Sequence, residues 1–121
     1  MVHLLLVDDD LNQRDLNRQI FEIFGYQVTT AGSGQEALHV LERETVDLII
    51  TDWNMPDQNG IDLSMTIRAR WPAPPIILLT GYAVEDAERQ AAGSGITTVL
   101  GKPILPDELD RIVKQVLARD A

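Results

Sequence analysis

The chain has 121 residues, 45% of them hydrophobic and 24% charged, with a formal net charge of −9. That length favours a single domain, expected to span 1–121, able to bury roughly two thirds of its unfolded surface. The absence of cysteine excludes disulfides, zinc–thiolate sites and thiol catalysis. No apolar run approaches the ~20 residues of a membrane-spanning helix. An acidic chain with only two lysines, Lys102 and Lys114, lacks the basic face that grips nucleic acid. The first residues carry no basic, cleavable leader, so a soluble cytoplasmic protein is expected.

Short apolar runs alternate with amphipathic stretches along the chain. Residues 2–7 read as a strand, and 11–24 as a helix with Leu16, Ile20, Ile23 and Phe24 at helical spacing, stopped by Gly25. A second strand is expected over 26–31. Ser33 then caps a helix, with Glu36 three residues on completing a capping box and Ala37, Leu38 and Leu41 on its apolar face. Residues 46–51 form the third strand. Gly60 opens a third helix, which Pro72, Pro74 and Pro75 break. A fourth strand at 76–79 leads to a helix over 84–92, poor in large apolar residues and so expected to pack weakly. A fifth strand at 96–100 precedes a last helix from Pro106, with Leu109, Ile112, Val113, Val116 and Leu117 facing inward. The strands are rich in Val, Ile and Leu with little alternation, as expected when both faces are covered. The pattern predicts an α/β fold: a doubly wound, five-stranded parallel sheet.

In such a sheet, ligands bind outside the carboxyl ends of the strands. The first strand ends in Asp8-Asp9-Asp10, the third in Asp52, the fourth in Thr80-Gly81 and the fifth in Gly101-Lys102-Pro103. An apolar strand has no packing reason to end in a carboxylate. Several carboxylates brought together repel unless a cation neutralises them. An all-oxygen donor set favours Mg²⁺, with Mn²⁺ as a substitute. Mg²⁺ points to phosphate chemistry, in which a lysine meets phosphate oxygens as a point charge and a threonine hydroxyl donates to another. Asp52 is then the nucleophile that becomes an aspartyl phosphate, with Lys102 and Thr80 on the transferred oxygens.

Together, Leu5-Leu6-Val7-Asp8-Asp9-Asp10, the loop Asp52-Trp53-Asn54-Met55-Pro56-Asp57 with Gly60, Leu79-Thr80-Gly81 and Lys102-Pro103 resemble, in order and spacing, the receiver domain of bacterial two-component response regulators. The resemblance covers nearly the whole chain. It implies a flavodoxin-like (βα)5 fold with strand order 2-1-3-4-5. It implies phosphorylation of Asp52 from the phosphohistidine of a histidine kinase or phosphotransfer domain, followed by slow hydrolysis. Direct Mg²⁺ ligands would be Asp9, Asp52 and the backbone carbonyl of Asn54, with Asp8 acting mainly through water. Asn54 and Tyr82 would flank the attacking water and tune the lifetime of the phosphorylated state. An output domain or partner protein, and a phosphorylation-dependent homodimer through the fourth helix, fifth strand and fifth helix, are further family habits. Two positions depart from the pattern: Val99 stands where an aromatic switch residue is frequent, and Ile104 where a Phe often follows Lys-Pro.

Plainer roles compete at each position. Asp10 reads as the cap of the first helix, Asp57 as a turn residue and Trp71 as helix-end packing. Trp53 reads either as a lid over the site or as a half-buried aromatic. His3 and His39 read as surface or packing residues. Two other functions use the same residues. A phosphatase or phosphotransferase of the haloacid-dehalogenase type would use Asp8 with Asp10, although Asn12 and the absence of a later acidic pair argue against it. A pseudo-receiver would be a pure interaction module, never phosphorylated.

Overall fold

In a computed structural model, residues 1–56, 58–103 and 105–120 are described, the side chain of Asp120 aside. Asp57 and Ile104, singled out in the sequence, lie outside the described residues. Strands and helices alternate as β1 (His3–Val7), α1 (Leu11–Ile23), β2 (Gln27–Ala31), α2 (Gly34–Arg43), β3 (Leu48–Asp52), α3 (Gly60–Arg70), β4 (Ile76–Thr80), α4 (Val84–Ala91), β5 (Thr98–Gly101) and α5 (Pro106–Asp120). The strands form one parallel sheet in the order β2-β1-β3-β4-β5. This is the expected doubly wound flavodoxin-like fold. Its switch in strand order falls between β1 and β3, where a binding crevice is expected.

β1, β3 and β4 are buried along their whole length, whereas the edge strands β2 and β5 are half-buried. The absence of alternation therefore belongs to the three central strands, whose two faces meet different helices. Leu4, Leu6, Ile50, Ile77 and Leu79 pack with Phe21 of α1 and with Leu109, Val113 and Val116 of α5. Leu5, Val7, Ile49 and Ile76 pack on the other face with Ala37, Val40 and Leu41 of α2 and Leu63 and Ile67 of α3. α4 rests on a smaller cluster, to which it contributes only Ala87 and Ala91, against Ile61 and Leu78. The weak packing expected of this helix follows from those two methyl groups.

The apolar spacing in the first helix misleads. Leu16 and Ile23 are 56% and 83% exposed, while Phe21 is buried. Arg14 and Phe21, seven residues apart, share the inward face, and Leu16 and Ile23 lie about 200° around the helix from them at 100° per residue. Two contacts set that rotation. The Phe21 ring meets Tyr26 edge-on at 5.8 Å, and Arg14 Nη1 donates to the backbone carbonyl of Asp8 at 3.1 Å. Tyr26 in turn donates its hydroxyl to Asp110 Oδ1 at 2.5 Å, which ties the start of β2 to α5.

The caps are mostly as expected. Asp10 accepts from Gln13 N–H, and Ser33 accepts from Glu36 N–H. The reciprocal bond of the capping box is displaced by one residue, since Glu36 Oε2 accepts from Gly32 N–H. Gly60 opens α3 as expected, and Asn59 before it caps the helix by accepting from Asp62 N–H. Trp71 is the C-cap residue of α3, with the Arg70 guanidinium 4.3 Å above its ring. His3 is a packing residue. It is buried, its Nδ1 lies 2.9 Å from the carbonyl of Thr45, and its Nε2 lies 2.7 Å from the Thr29 hydroxyl.

Strand limits shift in a way that matters for the site. β3 starts at Leu48, two residues later than expected, and runs through Asp52, which pairs in register with Leu79 of β4. β4 likewise includes Thr80, opposite Gly101. Asp52 and Thr80 are thus the last residues of hydrogen-bonded strands and not loop residues, and rigid elements hold side chains more closely than loops do.

Candidate functional site

Parallel register brings the carboxyl ends of β1, β3, β4 and β5 to one edge of the sheet. Val7 lies opposite Thr51, so Asp8 follows directly beside Asp52. Carboxylate oxygens of Asp8, Asp9 and Asp52 all lie within 4.8 Å of one another. Asp8 and Asp52 are 3% and 7% exposed, and Asp9 faces solvent. Lys102 arrives from β5 with its Nζ 2.7 Å from Asp52 Oδ1, and its backbone N–H donates to the carbonyl of Thr80 at 2.7 Å. The Lys102–Pro103 peptide is cis. Thr80 is buried at the end of β4, where its hydroxyl oxygen accepts from Tyr82 N–H at 2.9 Å.

Backbone contacts hold the loop after Asp52 close. Trp53 N–H donates to the carbonyl of Leu79, and Gly60 N–H donates to the carbonyl of Trp53 at 2.7 Å. This crossing requires glycine at position 60: a Cβ there would lie 2.2 Å from the Asp52 carbonyl oxygen and 2.7 Å from Leu78 Cδ1. Asn54 is exposed on the same loop. Trp53 is half-buried against the cluster beneath α4, where Val99 also packs. Its ring meets that of Tyr82 edge to face at 6.1 Å. Tyr82 itself is 66% exposed.

The electrostatics are those of a crowded anionic site. Burial, the largest cause, pushes the Asp8 carboxyl up to about 7. The neighbouring Asp52 pushes it further in the same direction, while the Asp10 N–H bonded to Asp8 Oδ1 and the Lys102 ammonium pull it back. A carboxyl raised that far is only partly ionised at neutral pH, and a cation beside it would favour the ionised form. The donors are hard oxygens gathered at one edge of the sheet, which suits a divalent cation such as Mg²⁺.

The sequence-predicted residues Asp8, Asp9, Asp52, Thr80 and Lys102 therefore converge. Asp10 does not join them, because its carboxylate caps α1; this removes the second acid that a haloacid-dehalogenase mechanism would need. A cleft of about 500 Å³ at the opposite end of the sheet, lined by Leu41, Trp71 and Leu117, is a weaker candidate. The two acids at its rim are engaged elsewhere, Glu44 by the Thr29 hydroxyl and Asp47 by His3 N–H. Arg14 is a site neighbour that the sequence reading did not single out. Its only sequence signal is its place seven residues before Phe21.

Comparison with known proteins agrees with this geometry. The model of the response regulator receiver domain matches residues 4–114. The chain is 38% identical over 119 residues to the transcriptional regulatory protein GlrR of Escherichia coli, a match covering 98% of this chain but 27% of that protein. Among solved structures, a CheY-like receiver domain from Methanospirillum hungatei superposes with a TM-score of 0.93 at 30% identity, covering 99% of this chain and 96% of the other. TrrA from Thermotoga maritima, solved in complex with Mg²⁺ and BeF, superposes with a TM-score of 0.86 at 32% identity, covering 96% and 99%. The chain belongs to the response regulator receiver domain family. Its general function is phosphorelay signalling in two-component systems, as a regulatory domain and not a classical enzyme.

Proposed function

We propose that Asp52 is the phosphoacceptor of this receiver domain. The observation that carries the reading is the placement of one buried carboxylate, at the end of β3, between two further acids and the Lys102 ammonium. A carboxylate oxygen of Asp52 attacks the phosphorus of a phosphohistidine on a histidine kinase or phosphotransfer domain. The P–N bond breaks, an O–P bond forms, and the imidazole leaves carrying the electron pair of the broken bond. Lys102 exchanges its pairing with Asp52 for an oxygen of the transferred group, and the Thr80 hydroxyl donates to another. Asp8, Asp9, Asp52 and the backbone carbonyl of Asn54 would hold Mg²⁺, or Mn²⁺ in its place. When bound, the cation offsets the negative charge of the incoming phosphoryl group.

Hydrolysis of the aspartyl phosphate, with Asn54 and Tyr82 beside the attacking water, resets the domain. Phosphorylation shifts the β4–α4 loop and α4, and an output domain, a partner protein or a second copy of the chain reads that shift. With Val99 in place of an aromatic, the shift proceeds without a buried ring turning over. The domain works in the cytoplasm; among the described residues no helix is long and apolar enough to cross a membrane.

The test is labelling with acetyl phosphate or beryllofluoride in Mg²⁺. Wild type should take up one equivalent, and Asp52→Asn none, with its fold intact by circular dichroism. Labelling that survives in Asp52→Asn, or that falls on Asp8, overturns the reading. No labelling of wild type would favour the pseudo-receiver.

A further inference from the structure

The inward face of α1 carries a cation, Arg14, directly behind the acidic edge. Its Nη1 donates to the backbone carbonyl of Asp8, and its own N–H donates to the carbonyl of Asp10 within the first turn. The guanidinium reaches Asp8 over Gly32, the residue after β2. A Cβ built at Gly32 would lie 2.3 Å from Arg14 Nη1 and 3.4 Å from its Cζ. Gly32 has no positive φ, so backbone conformation does not require glycine there. The space taken by Arg14 does.

We propose that Arg14 is a positioning residue of the cation site, a strut that fixes the Asp8–Asp9 peptide and passes through a gap kept open by Gly32. The inference rests on the reading of Asp8, Asp9 and Asp52 as the Mg²⁺ site. A peptide unit is planar, so pinning the Asp8 carbonyl fixes the plane from which Asp9 departs. Asp9 is exposed and has no packing to aim its carboxylate. Asp8 is held from the other side as well, by its N–H to the carbonyl of Ala31 and by its Oδ1 accepting from Asp10 N–H. Arg14 is the side chain that holds the carbonyl between the two acids. Such outer partners of a metal site commonly contribute 10- to 100-fold in affinity.

Gly32→Ala separates position from charge. It keeps the Arg14 cation and the Gly32 N–H bond to Glu36, and it displaces only the flexible tip of a side chain, so the fold tolerates it. Mg²⁺ is titrated against the backbone amide resonances of Asp9 and Asn54 in wild type, Arg14→Ala, Arg14→Lys, Gly32→Ala and the Arg14→Ala/Gly32→Ala double variant, with thermal unfolding of each metal-free protein alongside. Arg14→Ala and Gly32→Ala should each weaken Mg²⁺ binding about 10-fold, the low end of the outer-partner range. The double variant should be no weaker than either alone, because both remove one strut. Arg14→Lys keeps a donor and should restore most of the affinity. Unchanged affinity in Gly32→Ala, or additive losses in the double variant, overturns the strut. A wild type whose Asp9 and Asn54 amides ignore Mg²⁺ overturns the functional reading itself, and the strut with it.

Discussion

Lys102 Nζ sits 2.7 Å from Asp52 Oδ1, so the two central groups of the site are paired with each other before any phosphoryl group arrives. The ammonium therefore both stabilises the free carboxylate and competes with a cation for it. Lys102→Ala should bind Mg²⁺ at least as tightly as wild type, because that competition is gone. It should nonetheless label with acetyl phosphate on the order of 10²-fold more slowly, the scale seen when one preorganised charge-stabilising donor is lost. Parallel Mg²⁺ titration and labelling-rate measurements check the split. Loss of both properties together would assign Lys102 a merely structural role.

Gly60 should be the least replaceable residue of the loop after Asp52. The Cβ of Gly60→Ala would strike backbone at the Asp52 carbonyl, which cannot swing aside as a side chain can. A destabilisation of about 1–3 kcal/mol, typical of overpacking, is expected in urea unfolding. It should be accompanied by slower labelling, since the same displacement moves Asp52, the proposed phosphoacceptor.

Two groups give stability opposite dependences on pH. Asp110 is held below its ordinary value of 3.8, first by the Tyr26 hydroxyl and then by Lys114. A depressed carboxyl contributes stability that is present above pH 3.8 and lost as pH falls further. Asp8 in the metal-free protein is raised to about 7, so its contribution is fully present below pH 3.8 and lost as pH climbs through 7. Thermal unfolding across pH 3 to 8 should therefore show Asp8→Asn flattening the neutral side and Asp110→Asn the acid side. Saturating Mg²⁺ should abolish the Asp8 slope in wild type.

Tyr82 links the Thr80 hydroxyl, through its N–H, to Trp53, through its ring. Beryllofluoride in Mg²⁺ should alter Trp53 emission in wild type and leave Tyr82→Ala with a much smaller response, while Val99→Ala retains the full change. A response that depends on Val99 and not on Tyr82 would place the readout at β5.

Much of this architecture was legible in the chain. Element order, the parallel sheet and the convergence of Asp8, Asp9, Asp52, Thr80 and Lys102 follow from short apolar runs, four of which lead into a polar residue at the carboxyl end. The face of α1 was not legible, because four apolar residues at helical spacing outvote one phenylalanine on a pattern count. The structure weighs instead the ring contact with Tyr26 and the Arg14 bond to Asp8. The last residue of β3 was misread for a related reason. An aspartate looks like the start of a loop until its pairing with Leu79 is known. The Asn59 cap and the displaced bond of Glu36 depend on local backbone direction, which residue types alone do not specify.

The seat of α4 has a consequence for where the molecule opens. A helix that buries two alanines has little apolar area to lose, whereas α5 buries Leu109, Val113 and Val116. Regions with few buried apolar contacts exchange their amide protons through local openings far less costly than global unfolding. Amides of Val84–Ala91 should then exchange well before those of β1 and β3. The phosphorylation proposed at Asp52 would then act beside a helix expected to open well short of global unfolding.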